Sequence, residues 1–120
     1  MSNKENVVKA KSFKFAVRIV NLYKFLVETK KEYVLSKQIL RSGTSIGANI
    51  EEADGGISKA EFSSKISIAY KEAKETHYWL RLLHETGYID EDSFNSMIAD
   101  CNELCKLLFA ILKSTHRVRK

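Results

Sequence analysis

The sequence predicts an all-α fold, an antiparallel up-down-up-down four-helix bundle. Three observations predict it. Four segments repeat apolar residues at steps of three and four, the period of a buried helix face. Proline is absent and glycine numbers 5 among 120 residues, which disfavours turn-rich β and α/β folds. The segments are joined by short connections, which places consecutive helices side by side and antiparallel. Hydrophobic residues at 44% and charged residues at 29% describe one ordinary globular domain spanning 1–120.

The first helix is expected over about 7–29. Ala16, Val20, Tyr23 and Val27 form its seam, with Ile19, Leu22 and Leu26 beside them. The stretch Lys30, Lys31, Glu32, Tyr33 loses the pattern and reads as a connection.

The second helix is expected over about 36–53, on a seam of Ile39, Gly43, Ile46, Ile50 and Ala53. A glycine inside a helix costs about 1 kcal/mol relative to alanine. Gly43 and Gly47 therefore imply either close backbone approach to a neighbour or a local break. Gly55-Gly56 is expected to end the helix in a left-handed conformation.

The third helix, about 58–86, opens on Ser58-Lys59-Ala60-Glu61, the pattern of a reciprocal capping box. Phe62, Ile66, Ala69, Ala73, Thr76, Leu80 and Leu83 form its seam, and Gly87 ends it. The fourth helix, about 91–117, starts after Asp90 as N-cap. Its seam is Phe94, Met97, Cys101, Leu104, Leu108, Ile111 and Thr115.

Charge is polarised along the chain. Residues 1–37 carry nine Lys/Arg against three Glu, 85–105 carry six acids and no base, and 106–120 carry five bases and no acid. In the expected topology the start of the first helix meets the end of the fourth. Lys11, Lys14 and Arg18 then share a basic end with Lys113, Arg117, Arg119 and Lys120. No acid stands four residues from a cation within the Lys11, Lys14, Arg18 face. This end is the first-choice nucleic-acid-binding site; a solvated basic surface is the plainer reading.

The third helix carries a second stripe, Tyr70, Lys74, His77, Arg81 and His84, about 100° round from its seam. Tyr70, Lys74, His77 and Arg81 are the second-choice binding residues, through phosphate charge and base stacking, or else a subunit interface. Ile68, Trp79 and Leu82 widen the apolar arc and are expected to be covered by another subunit.

Catalytic and metal chemistry find little support. None of His77, His84 and His116 stands in a Glu-x-x-His pair, the ligand pattern of di-metal bundles. Cys101 and Cys105 sit on or beside a seam, so they read as buried hydrophobes before soft-metal ligands. No metal, no cofactor and no enzyme activity is expected. No apolar run reaches the ~18 residues that span a bilayer. The stretch Met1–Asn6 lacks the apolar core of a signal peptide, and the expected setting is the cytoplasm, away from membranes.

The run from Gln38 to Ala53, with Ser45-Ile46-Gly47-Ala48-Asn49-Ile50-Glu51-Glu52 at its centre, resembles the hallmark of a known family. So does the run from Ala69 to Leu83, with Tyr70-Lys71-Glu72-Ala73 and His77-Tyr78-Trp79-Leu80-Arg81. The family is that of small four-helix-bundle proteins encoded in intervening sequences of 23S ribosomal RNA genes. Many members have proline where this chain has Gly47 and glycine where it has Ala53, differences of helix geometry. The resemblance implies a homo-oligomer, five subunits favoured, and no catalytic residues. A related accessory protein of diversity-generating retroelements is a basic pentamer that binds nucleic acid and a reverse transcriptase. The implied partners are therefore the chain itself, RNA or DNA, and a polymerase-type protein. Asn49 and Glu52 look structural, and Arg41 with Glu52 or Glu75 is a candidate buried tie.

Overall fold

The computed structural model describes the backbone of residues 2–119 and the side chains of residues 2–115. Four helices follow in order: α1 (Asn3–Glu28), α2 (Leu35–Asp54), α3 (Lys59–Glu85) and α4 (Glu91–Arg119). Among the described residues there is no strand. Each helix packs on its two neighbours, α1 on α2 and α4, α3 on α2 and α4. Cross-helix contacts run in opposite order along every boundary. Lys9 meets Asp54, Glu52 meets Lys65 while Arg41 meets Glu75, Ala73 meets Cys101 while His84 meets Glu91, and Lys11 meets Glu103 while Arg18 meets Ser96. The bundle is thus antiparallel, 48 Å long and about 20 Å across. Among the described residues no helix is long and apolar enough to cross a membrane.

The helix starts follow from local polar chemistry. α1 begins four residues before the expected position because Ser2 and Glu5 form a reciprocal box: the Ser2 hydroxyl accepts from the Glu5 N–H and the Glu5 carboxylate from the Ser2 N–H. The chain leaves α1 through Lys31 at φ 55°, and Glu32 then folds back over the start of α2. Its carboxylate accepts the N–H groups of Val34, Leu35 and Ser36 at 3.2, 3.0 and 2.7 Å. Ser58 accepts from the Glu61 N–H at 3.1 Å, as expected, but the Glu61 carboxylate bonds the Ile57 N–H instead of returning to Ser58. Asp90 caps α4 through the Ser93 N–H at 2.8 Å. Gly87 takes the left-handed conformation, φ 83°, whereas Gly55 ends α2 at φ −85° without it.

The expected seams of α2, α3 and α4 are the buried ones, with Phe62, Phe94 and Thr115 only partly covered. The seam of α1 differs. Val8, Ser12, Phe15, Ile19 and Leu26 are buried, while Val20 is 36% exposed and Ala16, Tyr23 and Val27 only partly covered. The face is turned by one residue, and α2 supplies the reason. A Cβ on Gly43 would stand 2.6 Å from Cγ1 of Ile19, so the missing side chain is a socket for Ile19. Gly47 lies against the Ser12 backbone, and α2 runs unbroken through both glycines.

Polar ties complete the α2–α3 boundary. The hydroxyls of Ser42 and Thr76, both buried, are hydrogen-bonded at 2.8 Å. Arg41 bonds Glu72 at 2.9 Å and also Glu75, but at the surface and not as a buried tie. Glu52 pairs with Lys65 at 2.8 Å, and the Asn49 amide donates to the Ser45 carbonyl at 2.8 Å within its own helix.

Candidate functional site

The first-choice cations are arranged differently from the expected open end. Lys11 lies 3.2 Å from Glu103, and Arg18 bonds Asp100 at 2.5 Å and the Ser96 hydroxyl at 2.8 Å. Local spacing offers these cations no partner, yet the antiparallel register brings the α4 acids directly across. Lys9 is held the same way. Its hydrogen bond to Asp54 raises its pKa above the ordinary lysine value, against the effect of burial. Lys14 and Lys113 are exposed and, among the described residues, have no carboxylate within ion-pairing distance. The side chains of Arg117 and Arg119, and Lys120 altogether, lie outside the described residues.

The second-choice residues come together with a polar stripe of α4 that lies off its apolar seam. Tyr70 and Phe109 meet with ring centroids 5.9 Å apart, and His77 stands beside Asn102. Asn102, Lys106, Phe109 and Lys113 repeat at four, three and four, and all are exposed. Beside them on α3 stand Lys74 and Arg81, also exposed. Burial first, then the charges of Arg81 and Lys74, lower the pKa of His77. The imidazole is therefore neutral at neutral pH. His84, the last residue of the α3 stripe, turns away to stack on Phe94 at 4.2 Å and to meet Glu91.

Four of the acids near this face point elsewhere, while Glu85 stays beside Arg81 and Tyr78 beyond ion-pairing distance. Glu72 and Glu75 engage Arg41 on α2, and Asp100 and Glu103 engage Arg18 and Lys11 on α1. Among the described residues, none of Lys74, Arg81, Lys106 and Lys113 has a carboxylate within ion-pairing distance. Aromatic surface lies among these charges. Phe109 is 53% exposed and Tyr78 50% exposed, with the Arg81 guanidinium 5.8 Å from the Tyr78 ring centroid. The α4 half of this face was readable as a cationic stripe interrupted by one phenylalanine.

Of the expected interface residues, Ile68 is 41% exposed and Trp79 and Leu82 are half-buried. Trp79 packs against the core, meets Tyr78 edge-on and donates its indole N–H to Glu75 at 2.9 Å. A further apolar strip faces outward on α1: Phe13 at 67% exposure, Val17 at 48% and Val20 at 36%. Its spacing of four and three is visible in the sequence, but Val20 belongs to this outward strip and not to the expected core seam.

Cys101 is buried with its sulfur 3.3 Å from the Ala73 carbonyl oxygen. The neighbouring Cys105 thiol, together with burial, pushes its thiol pKa up, which keeps it protonated. Among the described residues no three of His, Cys, Asp and Glu gather as metal ligands.

A family model described as 23S rRNA-intervening sequence protein matches residues 4–110. A crystal structure of a protein of unknown function from the S23 ribosomal protein family, from Bacteroides thetaiotaomicron VPI-5482, is similar at 61% identity. The match covers 92% of this chain and 98% of that one, with a TM-score of 0.90. No curated protein matches the chain.

Proposed function

The chain belongs to the 23S rRNA-intervening sequence protein family, and from that premise we propose that it is a non-enzymatic, self-associating basic protein of the cytoplasm that binds nucleic acid, structured RNA before DNA. The observation that carries this reading is the α3–α4 face, where Lys74, Arg81, Lys106 and Lys113 stand without carboxylate partners among the described residues. Such cations displace counterions from phosphates, the main source of sequence-independent affinity. Each subunit has a net charge of +5, and five subunits would carry about +25, a field that draws polyanions. Repetition of the face around an oligomer adds avidity without new contacts. The α3–α4 face is preferred to Lys11, Lys14 and Arg18 because the acids of α4 already neutralise two of those three.

The outward strip Phe13, Val17, Val20 supports self-association, and equally a second reading: a scaffold that engages a polymerase-type protein through this strip. Gel shifts with an RNA hairpin and a DNA duplex over a range of salt separate the two. Nucleic-acid binding gives affinity that falls steeply with salt. Replacing Lys74, Arg81 and Lys106 together by Ala is expected to weaken it about tenfold or more and flatten the salt dependence. Loss that follows Lys11, Lys14 and Arg18 instead returns the site to α1. No shift at low salt ends this reading and leaves the scaffold.

A further inference from the structure

A phosphate-binding surface gains nothing from half-exposed phenylalanine. Phe109 is nevertheless 53% exposed, with Lys106 one turn before it and Lys113 one turn after it on the same stripe. Tyr70 braces the Phe109 ring from α3 at 5.9 Å, so the ring is held in place while staying open to solvent. Two turns along α3, about 12 Å by helix rise, Tyr78 presents a second half-exposed ring with Arg81 beside it. Lys74 lies between Tyr70 and Tyr78 on the same helix. The face thus alternates ring and cation along its length.

Resting on the nucleic-acid reading above, we propose that the α3–α4 face takes unpaired nucleotides: a base stacks on Phe109 while Lys74, Lys106 and Lys113 hold the flanking phosphates. In a duplex both faces of each internal base are covered by its neighbours, and the backbone offers Phe109 nothing to stack on. A loop, bulge or single-stranded tail offers both a free base face and phosphates. Stacking of this kind tolerates any base, since every base has a π face. The partner class is therefore RNA with unpaired segments, read by their openness and not by sequence.

Fluorescence anisotropy of the full chain with labelled oligouridylate, oligoadenylate and a blunt RNA duplex of equal length tests this. The two single strands are expected to bind alike and more tightly than the duplex. Phe109→Leu keeps the apolar bulk and removes the π face. It is expected to weaken single-strand binding about tenfold and leave duplex binding unchanged, with Phe109→Tyr restoring it. Equal single-strand affinity of Phe109→Leu and the native chain, or preference for the duplex, overturns the stacking inference and leaves the nucleic-acid reading intact. Absence of binding to all three probes overturns both. Light scattering accompanies each variant. A changed subunit number in Phe109→Leu assigns the ring to a subunit contact and likewise overturns the inference.

Discussion

Lys11 of α1 and Glu103 of α4 stand 3.2 Å apart, and two turns along α1 Arg18 repeats the relationship with Asp100. The acids of the most negative segment of the chain thus neutralise cations of its most positive one, across a boundary that local spacing does not reveal. Turned toward α1, they pair with none of Lys74, Arg81, Lys106 and Lys113. Ion pairs this exposed contribute about 0–1 kcal/mol to folding, so their larger effect is on the electrostatic surface.

Removing those acids should create a binding surface where there was none. Glu103→Gln with Asp100→Asn frees Lys11 and Arg18, and RNA affinity at low salt is expected to rise several-fold with a steeper salt slope. Thermal stability should change by no more than about 1 kcal/mol. Affinity unchanged in gel shifts would mean that α1 does not approach the nucleic acid.

The two glycines of α2 should respond with opposite sign. Gly43→Ala drives a methyl into Ile19, which is fully buried and cannot yield, and is expected to destabilise by about 1–2 kcal/mol. At Gly47 the nearest atom would be 3.4 Å away, ordinary contact, so Gly47→Ala should gain up to about 1 kcal/mol of helix propensity. Urea unfolding at fixed protein concentration measures both. In an Ile19→Ala background, Gly43→Ala should cease to be harmful; persistence of the penalty there would contradict the socket.

The buried hydroxyl pair of Ser42 and Thr76 should be non-additive. Either Ser42→Ala or Thr76→Val alone removes the bond between the two hydroxyls and should cost about 1–3 kcal/mol. The double variant should cost less than the sum, since the bond between the two hydroxyls can be lost only once. A strictly additive double-mutant cycle would show that the bond contributes nothing.

Glu32 should matter at neutral pH and cease to matter in acid. Burial raises its carboxyl pKa, but the N–H groups of Leu35, Ser36 and Val34 and the Ser36 side chain outweigh that and hold it below the ordinary glutamate value. A depressed native pKa gives stability that is fully present above the unfolded value and is lost as pH falls through the native one. Glu32→Ala is expected to cost about 1–2 kcal/mol at pH 7. The deficit relative to the native chain should shrink only below the ordinary glutamate value. A deficit that fades already near neutrality would rule out the capping role.

The seams of α2, α3 and α4 were legible because their period is uninterrupted from Ile39 to Ala53, Ile66 to Leu83 and Met97 to Ile111. On α1 two apolar stripes compete, Val8–Phe15–Ile19 and Phe13–Val17–Val20, and hydropathy does not rank them. The choice lies in the shape of α2 at Gly43, a tertiary fact. Helix starts at Ser58 and Asp90 were legible as short-range patterns. The Glu32 cap was not, since it relies on a backbone reversal at Lys31 that a lysine seldom adopts. For the candidate site, sequence supplied Tyr70, Lys74, His77 and Arg81 as a stripe. It did not join them to Lys106 and Phe109, because that pairing depends on the register between α3 and α4.

The chain has a single tryptophan, and its indole N–H donates to the carboxylate that also engages Arg41 from α2. Trp79 first, then Arg41, holds the Glu75 carboxyl below its ordinary pKa against the effect of burial. Trp79 therefore works as a built-in optical probe. Its emission reads the Glu75 carboxylate with the Arg41 guanidinium on it while α2 and α3 are docked, and the same carboxylate without that cation and in more water when the boundary opens. Because Tyr78 packs edge-on against the same indole, with Arg81 beside its ring, the same fluorophore sits within one side chain of the cationic face. One wavelength can follow both the opening of the bundle and the occupancy of its surface, with no label attached.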